Sequence, residues 1–407
     1  MQIKKYIEEF TKVWKECSTE FPPPGPAFSY RDKLSHEARL EKFLKKIKKN
    51  KNKKLKPGVN NSGPDKSIFP EIRTFFKSIF GFEDNHLNII FSDSYREATK
   101  EFIETGQRFD PNLDMEDILQ ASRNVWIINS IQSMMGMPVK LTPSIFAYSM
   151  LYPYTDNYLD NPDTNSENKV TFCKSFQQRI KGKRIIPKNN NEKNIFELIG
   201  IIEEEYNREG YPKVYESLLA VHRGQTNSIR LLDNSNSLSE TDVLKICIEK
   251  GGASVLADGY LVSGSLTKSQ ERFLFGFGAY LQMADDIQDT DKDSGAGLLT
   301  PFSQASMHSL LDKYISRTYN FGIRIMDLIN CFKGSDLDCL KSLIENSTVK
   351  LLIESVGLND KFYSKSFLTE IEGYSPFRFS YLKKRKSSSP NKDLFAEVIK
   401  ESILAGG

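Results

Sequence analysis

Cysteine is scarce in this sequence, and its few positions exclude two kinds of site. The chain has 407 residues and five cysteines, which lie far apart and form neither a C-x-x-C pair nor a cluster with histidine. The five are Cys17, Cys173, Cys247, Cys331 and Cys339. This arrangement predicts no disulfide framework and no zinc site, and it favours a reducing, cytoplasmic location.

Long apolar runs are absent as well. The longest, around residues 145–154, is shorter and more interrupted than the about 18 apolar residues that a membrane-spanning helix needs. Residues 1–17 have the pattern of an amphipathic helix and lack the apolar stretch and small-residue cleavage site of a signal peptide. We therefore expect a soluble protein without a transmembrane segment.

The sequence has no large excess of one charge. It carries 56 basic and 53 acidic residues, a net charge of +3, which gives no argument for nucleic-acid binding. Lysines are concentrated in residues 42–56, KFLKKIKKNKNKKLK, which we interpret as a solvated helix face leading into a linker. Weak contact with an acidic membrane surface is the alternative. Nucleic-acid binding is not predicted, because the run lacks aromatic interleaving and a recognisable module.

Strand signals are sparse, whereas apolar residues recur at helical spacing throughout the chain. Ile118, Ala121, Val125, Ile128 and Ile131 are one example. With 39% hydrophobic residues, the chain can bury a large core. The sequence predicts an all-α protein, with a helical, lysine-rich extension over residues 1–60 and a single α-helical domain over 61–407. It also predicts one helix over about 303–331 and a loop over 382–392.

Two groups of aspartates stand at helical spacing. Asp156 and Asp160 occur in YTDNYLDNPDT, and Asp285, Asp286 and Asp289 occur in QMADDIQDTDKD. Carboxylates four residues apart share a helix face and repel each other by roughly 0.2–0.5 kcal/mol unless a cation lies between them. Mg²⁺ prefers oxygen ligands and is typically bound by one or two carboxylates together with substrate phosphates. The pattern predicts two half-sites for magnesium that face one diphosphate.

The second group is followed by two more aspartates, Asp291 and Asp293. We expect all five to lie at the carboxyl end of a helix, where acidic side chains oppose the helix dipole at a cost of roughly 0.3–1 kcal/mol each. Local stability would not explain such a cluster, so it favours a ligand-binding role.

The chain between the two groups supplies polar residues and a glycine pair. Arg223 and Gln225 lie on a mostly apolar helical segment, and Lys250 directly precedes Gly251 and Gly252. Glycine inside a helix costs about 1 kcal/mol relative to alanine. The pair therefore predicts a kink that exposes backbone groups to a ligand, with close helix packing as the alternative.

These residues resemble the second half of the trans-isoprenyl diphosphate synthases. Gly224 with Gln225, then Lys250, then FGFGAYLQMADDIQDTDKD follow the order and similar spacing of that family's GQ helix, diphosphate-binding lysine and FQ-x-x-DD-x-x-D motif. The resemblance covers roughly residues 140–320. It implies the class I terpenoid synthase fold, a helical bundle around a central cavity.

The resemblance also implies roles for individual residues. Asp285, Asp286 and Asp289 correspond to the second metal-binding motif, Lys250 to the lysine that contacts diphosphate, and Gln225 to the glutamine near the metal cluster. Three Mg²⁺ ions with the diphosphate are expected. Helical bundles of this superfamily often pair, so a homodimer is an open expectation.

The first motif departs from the chain-elongating members of that family. Those members carry DD-x-x-D followed by paired arginines, and an upstream Gly-Gly-Lys-x-x-Arg signature that holds isopentenyl diphosphate. Here three residues separate Asp156 from Asp160, Arg179 and Arg184 are the only arginines in the region that follows, and the upstream signature is missing. The D-x-x-x-D form resembles squalene/phytoene synthases and the class IB or "large" terpene synthases, which convert a single long prenyl diphosphate.

We therefore expect a Mg²⁺-dependent terpene synthase, a lyase that ionises one linear prenyl diphosphate to a hydrocarbon or alcohol plus diphosphate. Cations at the site would stabilise the leaving diphosphate, and aromatic rings would line the cavity of the carbocation. The expected diphosphate-binding residues are Lys250, Arg223, Gln225, Arg179 and Lys292, and the expected cavity residues are Tyr152, Tyr154, Phe273, Phe277 and Tyr280. His222 is interpreted as a packed or surface residue.

Two alternatives stay open at this point. One is a prenyltransferase, either chain-elongating or head-to-head, which would need a second diphosphate pocket. The other is a non-catalytic helical binding protein with the same fold. Loss of both acidic motifs would favour the second alternative, and both are present.

Overall fold

The computed structural model of the protein describes residues 1–54, 69–160, 164–232 and 238–388, without the side chains of residues 47–54, 69, 160, 166 and 388. Every regular element in these ranges is helical, which confirms the prediction of an all-α protein. Among the described helices, none combines the length and apolar character needed to cross a membrane.

The helices follow one another in three groups along the chain. The first six are α1 (Ile3–Glu16), α2 (Tyr30–Lys54), α3 (Phe69–Phe80), α4 (Asp84–Ile90), α5 (Asp93–Phe109) and α6 (Met115–Met134). The next six are α7 (Pro143–Asp160), α8 (Ser166–Ile180), α9 (Asn190–Glu205), α10 (Pro212–Ser228), α11 (Glu240–Ser263) and α12 (Lys268–Gln288). The last six are α13 (Thr290–Ala296), α14 (Pro301–Ser306), α15 (Asp312–Met326), α16 (Leu337–Leu358), α17 (Lys365–Gly373) and α18 (Phe379–Ser388).

The prediction of one helix over 303–331 is wrong, because the chain breaks between α14 and α15. Leu311 is fully buried, and its backbone N–H donates to the carbonyl oxygen of Phe362 at 2.9 Å. This contact replaces a hydrogen bond that a continuous helix would make. A partner from a distant part of the sequence therefore ends the helix.

The predicted loop over 382–392 is wrong for its first part, which belongs to α18. The start of α18 is fixed by Arg378, whose Nη2 donates to Glu37 Oε2 of α2 at 2.6 Å and whose backbone N–H donates to Glu37 Oε1 at 3.1 Å. Residues 389–392 lie outside the described part of the chain. Residue 60, the predicted end of the N-terminal extension, lies outside it as well.

The centre of the bundle is the pair α11 and α12. A Cβ added to Gly251 would lie 2.4 Å from the carbonyl oxygen of Gly278, and one added to Gly278 would lie 2.1 Å from that of Gly251. On the other side of α11, a Cβ added to Gly224 of α10 would lie 3.2 Å from Lys250 Cα. α11 continues as a helix through Gly251 and Gly252, and both glycines are buried. The predicted exposure of backbone groups at the pair is therefore wrong, and the contacts favour the alternative of close helix packing.

The remaining helices surround this pair. α6 packs against α7 and α11, α9 packs against α7, and α15 and α16 pack against α12. The N-terminal helix α1 crosses α11, α12 and α15, with Trp14 Nε1 donating to Thr318 Oγ1 at 3.1 Å. α1 therefore contributes to the same core as the helices that carry the motifs.

The directions of the helices place the two aspartate groups at the same end of the bundle. At the other end, Ser144 N donates to Glu205 Oε2 at 2.8 Å and Tyr206 OH donates to the Leu261 carbonyl oxygen at 2.8 Å, so α7 begins where α9 and α11 finish. α10 and α12 begin shortly after α9 and α11, respectively. The last turns of α7, α10 and α12 therefore lie at the same end of the bundle.

Candidate active site

We infer a cleft inside the bundle from the exposure of residues on its central helices. Between Ile246 and Val262 on α11, only Lys250 and Ser254 are partly exposed. They lie four residues apart and so share one face of the helix. Because α11 is otherwise buried on all sides, this face borders an opening between helices.

α6 and α7 also carry exposed polar residues that face this cleft. Tyr152 is 38% exposed within an otherwise buried stretch of α7, one turn before the half-buried Asp156. Its hydroxyl accepts a hydrogen bond from Gln120 Nε2 of α6 at 3.0 Å. Deeper in the bundle, the Tyr148 hydroxyl lies 3.2 Å from Ser254 Oγ of α11. The partly exposed residues from which the cleft is inferred thus lie on α6, α7 and α11, which these hydrogen bonds hold together.

The first aspartate motif lies at the mouth of the cleft. Asp156 Oδ1 accepts hydrogen bonds from Thr155 Oγ1 at 3.1 Å and from Gln225 Nε2 of α10. Asp160 is the last residue of α7, and its side chain lies outside the described residues. Gln225 therefore joins α10 to the first motif.

The second motif places its middle carboxylate in a buried position. Asp286 is 5% exposed, and its Oδ1 accepts a hydrogen bond from Gln282 Nε2 at 2.8 Å. Its Oδ2 is buried and makes no regular hydrogen bond among the described residues, while the thiol of Cys247 on α11 interacts with the carboxyl group. Burial raises the pKa of Asp286 to about 7, and the charge of Asp285 adds to the effect.

Asp285 and Asp289 are more accessible than Asp286. Asp285 is exposed within the cleft, yet the surrounding protein excludes enough water to raise its pKa, with a further contribution from the charge of Asp289. Asp289 is half-buried and lies 3.7 Å from Lys292 Nζ. The motif thus combines one buried carboxylate with two that solvent or a ligand can reach.

The helix ends earlier than the sequence predicts. α12 stops at Gln288, and Asp291 and Asp293 lie in the first turn of α13. Acidic side chains are favourable at that position of a helix, so the expectation that all five aspartates oppose a helix dipole is wrong for these two.

Asp293 is a fourth carboxyl group next to the motif, and it was not among the predicted site residues. It is 7% exposed, and burial together with the charges of Asp286 and Asp289 raises its pKa to about 8. The turn between α12 and α13 is held by Asn359, whose Nδ2 donates to the carbonyl oxygens of Ile287 and Gln288 at 3.4 and 3.2 Å. Asn359 lies far away in the sequence, so no local signal identifies it.

Three cations lie beside the second motif. The positive charge of Lys250 on α11 lowers the pKa of both Asp285 and Asp286 against the effect of burial. Arg123 on α6 and Lys292 also lower the pKa of Asp285. Arg123 was missed by the sequence analysis because it belongs to no recognised motif.

Arg223 is held near the same end of the cleft. Its Nε donates to Glu249 Oε1 at 2.6 Å, and Asn227 Nδ2 donates to Glu249 Oε2 at 2.9 Å. Glu249 is buried and directly precedes Lys250 on α11, whereas the Arg223 side chain is 46% exposed. The buried carboxylate therefore fixes an accessible guanidinium group.

Arg179 lies apart from this group. Its Nη2 is 2.6 Å from Glu203 Oε2, and Arg208 binds the same carboxylate at 2.5 Å. Arg208 Nη1 also donates to the carbonyl oxygen of Ile180 at 2.6 Å. These residues lie at the end of the bundle where α8 and α9 finish, opposite the aspartates.

Four of the five predicted cavity aromatics belong to the packed core, and Tyr152 alone of the five is exposed. The Tyr154 hydroxyl donates to Asp110 Oδ2 at 2.8 Å. Phe273 stacks on Phe277 with ring centroids 5.8 Å apart. Tyr280 is 6.5 Å from the Phe321 ring, towards α15.

His222 is packed, as the sequence analysis predicts. It is buried, its Nε2 lies 2.8 Å from the Cys173 carbonyl oxygen, and its ring stacks on Phe176 at 5.5 Å. Burial lowers its pKa to about 4. The imidazole is therefore neutral at pH 7 and turned away from the cleft.

The donor set fits Mg²⁺ bound together with a phosphate ligand. Within the described residues, no three His, Cys, Asp or Glu side chains converge to hold a metal ion by themselves. Mg²⁺ commonly takes one or two carboxylates and completes its shell with phosphate oxygens and water. A bound cation would give the buried Oδ2 of Asp286 a charged partner. Its positive charge would also lower the raised pKa of the aspartates.

No family model matches the sequence, and no curated protein is significantly similar to it. Solved structures with a similar chain path include a geranylgeranyl pyrophosphate synthetase from Pyrococcus horikoshii Ot3, with 14% identity, 78% of this chain and 98% of that chain covered, and a TM-score of 0.34. A decaprenyl diphosphate synthase from Rhodobacter capsulatus has 10% identity, coverage of 78% and 99%, and a TM-score of 0.31. A polyprenyl synthetase from Streptomyces coelicolor A3(2) has 12% identity, coverage of 73% and 98%, and a TM-score of 0.31.

Proposed function

We propose that the protein is a Mg²⁺-dependent enzyme that ionises a single linear prenyl diphosphate and releases diphosphate with a terpene hydrocarbon or alcohol. The proposal is supported by the directions of the helices, which end α7 and α12, with their aspartates, at the same end of the bundle. Asp156 of α7 accepts a hydrogen bond from Gln225 of α10, and Asp285 and Asp286 of α12 are close enough to Lys250 of α11 for its charge to lower their pKa.

The residues that would hold Mg²⁺ are Asp156 and Asp160 on one side and Asp285, Asp286 and Asp289 on the other. Bound Mg²⁺ supplies positive charge that stabilises the leaving diphosphate. Gln225 orients the Asp156 carboxylate by donating to its Oδ1. Gln282 does the same for Asp286.

The protein's own cations complete the diphosphate site. Lys250 and Lys292 lie beside the second motif, and Arg223 is held by Glu249. Fixed positive groups of this kind stabilise the negative charge that develops on the diphosphate as its bond to the allylic carbon breaks. We leave Arg179 out of this set, because Glu203 occupies its guanidinium group at the far end of the bundle.

The hydrocarbon part of the substrate would occupy the cleft below the aspartates. Tyr152 lies one turn below Asp156 and exposes its ring there, and an aromatic face stabilises a nearby cation by roughly 0.5–2 kcal/mol. Ile127 of α6 and Leu281 of α12 are half-buried apolar residues on the faces that carry Asn124 and Asp285. These groups exclude water from a carbocation.

The test is a screen of C10 to C35 prenyl diphosphates with Mg²⁺, in which released diphosphate and hydrocarbon or alcohol products are measured. Asp156→Ala and Asp286→Ala should each abolish diphosphate release. Asp291→Ala is a matched control, since Asp291 lies at the same end of α12 but pairs with the exposed Lys361. Absence of diphosphate release with every substrate, despite binding, would identify a non-catalytic protein of the same fold.

A prenyltransferase is a second candidate, and Arg123 supports it. Arg123 is exposed and acts on Asp285 across the cleft from α6, which offers a further cation for a second anionic substrate. Incubation with and without isopentenyl diphosphate separates the two candidates, because only a prenyltransferase gives a longer product with the co-substrate. Arg123→Gln should then raise KM for isopentenyl diphosphate.

A further inference from the structure

Cations are concentrated in two segments that lie far apart in the sequence. Residues 42–54 contain eight lysines, residues 383–386 are Lys-Lys-Arg-Lys, and neither segment contains an acidic residue. Without these twelve cations, the net charge of +3 would be −9. The chain therefore separates its charge, and an excess of one sign at a defined place is a physical basis for binding a partner of the opposite sign.

The two segments belong to α2 and α18, which lie side by side. Glu37 of α2 pairs with Arg378, directly before α18 begins, at 2.6 Å. One turn further along α2, Glu41 Oε1 accepts hydrogen bonds from Tyr381 OH at 2.7 Å and from Arg385 Nη1 at 2.9 Å. Because both helices advance in the same direction through these contacts, their basic segments are neighbours.

Contacts with α16 place these neighbouring segments at the aspartate end of the bundle. Gly357, near the end of α16, packs against Phe379 at the start of α18, with an added Cβ only 2.3 Å from the ring. Asp360, after α16, accepts a hydrogen bond from Lys383 Nζ at 2.6 Å, so α18 continues past the end of α16. Asn359 donates to the carbonyl oxygens of the last turn of α12. The basic segments therefore lie at the end where the inferred cleft opens.

Residues 42–54 and 383–386 thus form one basic surface. Lys42, Lys45 and Lys384 are exposed on it. Three acidic side chains beside them are each paired with a cation: Glu41 with Arg385 at 2.9 Å, Glu71 with Lys46 at 2.5 Å and Asp360 with Lys383 at 2.6 Å. An excess of lysine over carboxylate remains, so the surface attracts anions.

We propose that the basic surface binds the anionic headgroups of a phospholipid membrane and holds the aspartate end of the bundle against it. Each lysine or arginine near such a membrane strengthens binding by about fivefold, and the attraction falls off within a Debye length. The charges act together because α2 and α18 bring them side by side. Membrane binding also suits the proposed substrate, since a prenyl diphosphate has an apolar tail that enters a bilayer and an anionic head that stays at its surface.

Nucleic acid is another polyanion, and the aromatic rings beside the basic surface argue against it. Phe43 and Phe75 are buried and stack on each other with ring centroids 4.3 Å apart, and the Tyr381 hydroxyl donates to Glu41. Proteins bind single-stranded nucleic acids with exposed aromatic rings on which bases stack. An anionic lipid surface requires positive charge alone, which these residues provide.

Vesicle sedimentation with the full-length protein tests this proposal. Vesicles of phosphatidylcholine alone are compared with vesicles of phosphatidylcholine mixed with phosphatidylserine. The wild-type protein should sediment with the anionic vesicles only, and added salt should release it, because salt screens the charges. Lys42→Gln/Lys45→Gln on α2 and Lys384→Gln/Lys386→Gln on α18 should each lower the partition coefficient by about 25-fold, as the loss of two charges implies.

Lys4→Gln/Lys5→Gln is the matched control and should bind like the wild-type protein. These two lysines are exposed in the first turn of α1, where the Met1 amino group contacts Glu216 at the opposite end of the bundle. An equal loss of binding in this control would overturn the proposal, and so would an unchanged partition coefficient in either of the other two pairs.

The wild-type protein alone gives two further decisive outcomes. Equal binding to both kinds of vesicle, or binding to neither, would overturn the role of the basic surface. Binding of an oligonucleotide without binding of anionic vesicles would assign the surface to nucleic acid instead. None of these measurements uses a prenyl diphosphate, so a negative result here leaves the proposed function standing.

Discussion

Aspartate residues in this protein differ in their properties according to the atoms around them. Asp291 is exposed and pairs with Lys361, whereas Asp286 and Asp258 are buried and each has one oxygen that makes no regular hydrogen bond among the described residues. Burial raises the pKa of Asp286 to about 7 and that of Asp258 to about 8. Raised pKa values with a specific neighbour are typical of functional sites, so these two residues are the natural targets at the residue scale.

Asp258 gives the first prediction, which concerns the free energy of unfolding. The folded protein keeps the Asp258 proton up to a pH of about 8, whereas the unfolded chain releases it near the ordinary pKa of 3.8. The folded state therefore binds more protons between these values. Stability should fall as pH rises through this range, by at most about 1.4 kcal/mol per pH unit for one proton.

Asp258→Asn removes this contribution, so the variant should lose less stability than the wild-type protein between pH 5 and pH 8. Urea unfolding at several pH values measures both free energies. A constant difference between the two proteins across this range would contradict burial of a protonated carboxyl group at this position.

A second prediction at the residue scale concerns Glu249. Its carboxylate holds Arg223 at 2.6 Å and Asn227 at 2.9 Å, and hydrogen bonds to charged groups contribute about 1.5–3 kcal/mol. Glu249→Gln should therefore loosen the Arg223 guanidinium and raise KM for the prenyl diphosphate by about tenfold, as a loss of about 1.4 kcal/mol implies. Steady-state kinetics measures the change, and an unaltered KM would show that Arg223 does not bind the diphosphate.

At the scale of elements, the contact between α11 and α12 sets the spacing of the site. These helices approach at Gly251 and Gly278, where an added Cβ would meet backbone atoms at 2.4 and 2.1 Å. Lys250 immediately precedes the contact on α11, and Asp285 and Asp286 follow it by two turns on α12. Any increase in the separation of the two helices would move the lysine away from the aspartates.

Gly251→Ala tests this contact. The new methyl group would lie 2.4 Å from both Gln282 Cβ and the Gly278 carbonyl oxygen, so the helices must separate, at a typical cost of about 1–3 kcal/mol. Gly295→Ala is the matched control in α13, since nothing lies within 4 Å of its added Cβ, and it should stabilise the protein by about 0.4–1 kcal/mol. Urea unfolding measures both effects, and a neutral Gly251→Ala would contradict the close approach.

Elements with a strong local pattern are the ones that the sequence predicts well. Asp156 and Gln225 were identified from motifs on α7 and α10, and the structure joins them by a hydrogen bond. The break at Leu311 and the start of α18 at Arg378 depend on partners far away in the sequence, so no local pattern could reveal them. The same holds for the direction of Tyr280, which packs towards α15.

At the scale of the whole molecule, the two ends of the bundle differ in the interactions that decide their stability. At one end, long-range hydrogen bonds fix the helices, such as the pair from Tyr6 and Tyr260 to the buried Glu271 and the contact of the Met1 amino group with Glu216 at 3.0 Å. At the other end, Asp286 and Asp293 are buried close together. Electrostatic repulsion is therefore concentrated at the aspartate end, where a cation can relieve it.

Ligand binding at that end should therefore stabilise the whole protein, and this is the last prediction. Mg²⁺ together with inorganic diphosphate should raise the melting temperature, because a ligand at 100 times its Kd stabilises the folded state by about 2.7 kcal/mol. Mg²⁺ alone or diphosphate alone should have a much smaller effect, since each completes the site of the other. Thermal unfolding with each addition separately and with both together measures this dependence.

Asp286→Asn and Asp156→Asn should remove the joint stabilisation, while Asp291→Asn should keep it. Asn at position 286 avoids burying a carboxylate above its pKa of about 7, so the ligand-free variant should be at least as stable at pH 8 as the wild-type protein. A loss of ligand-dependent stabilisation in this variant would then reflect the lost metal ligand and not a damaged fold. Full stabilisation of Asp286→Asn by Mg²⁺ and diphosphate would contradict a site built on the two aspartate motifs.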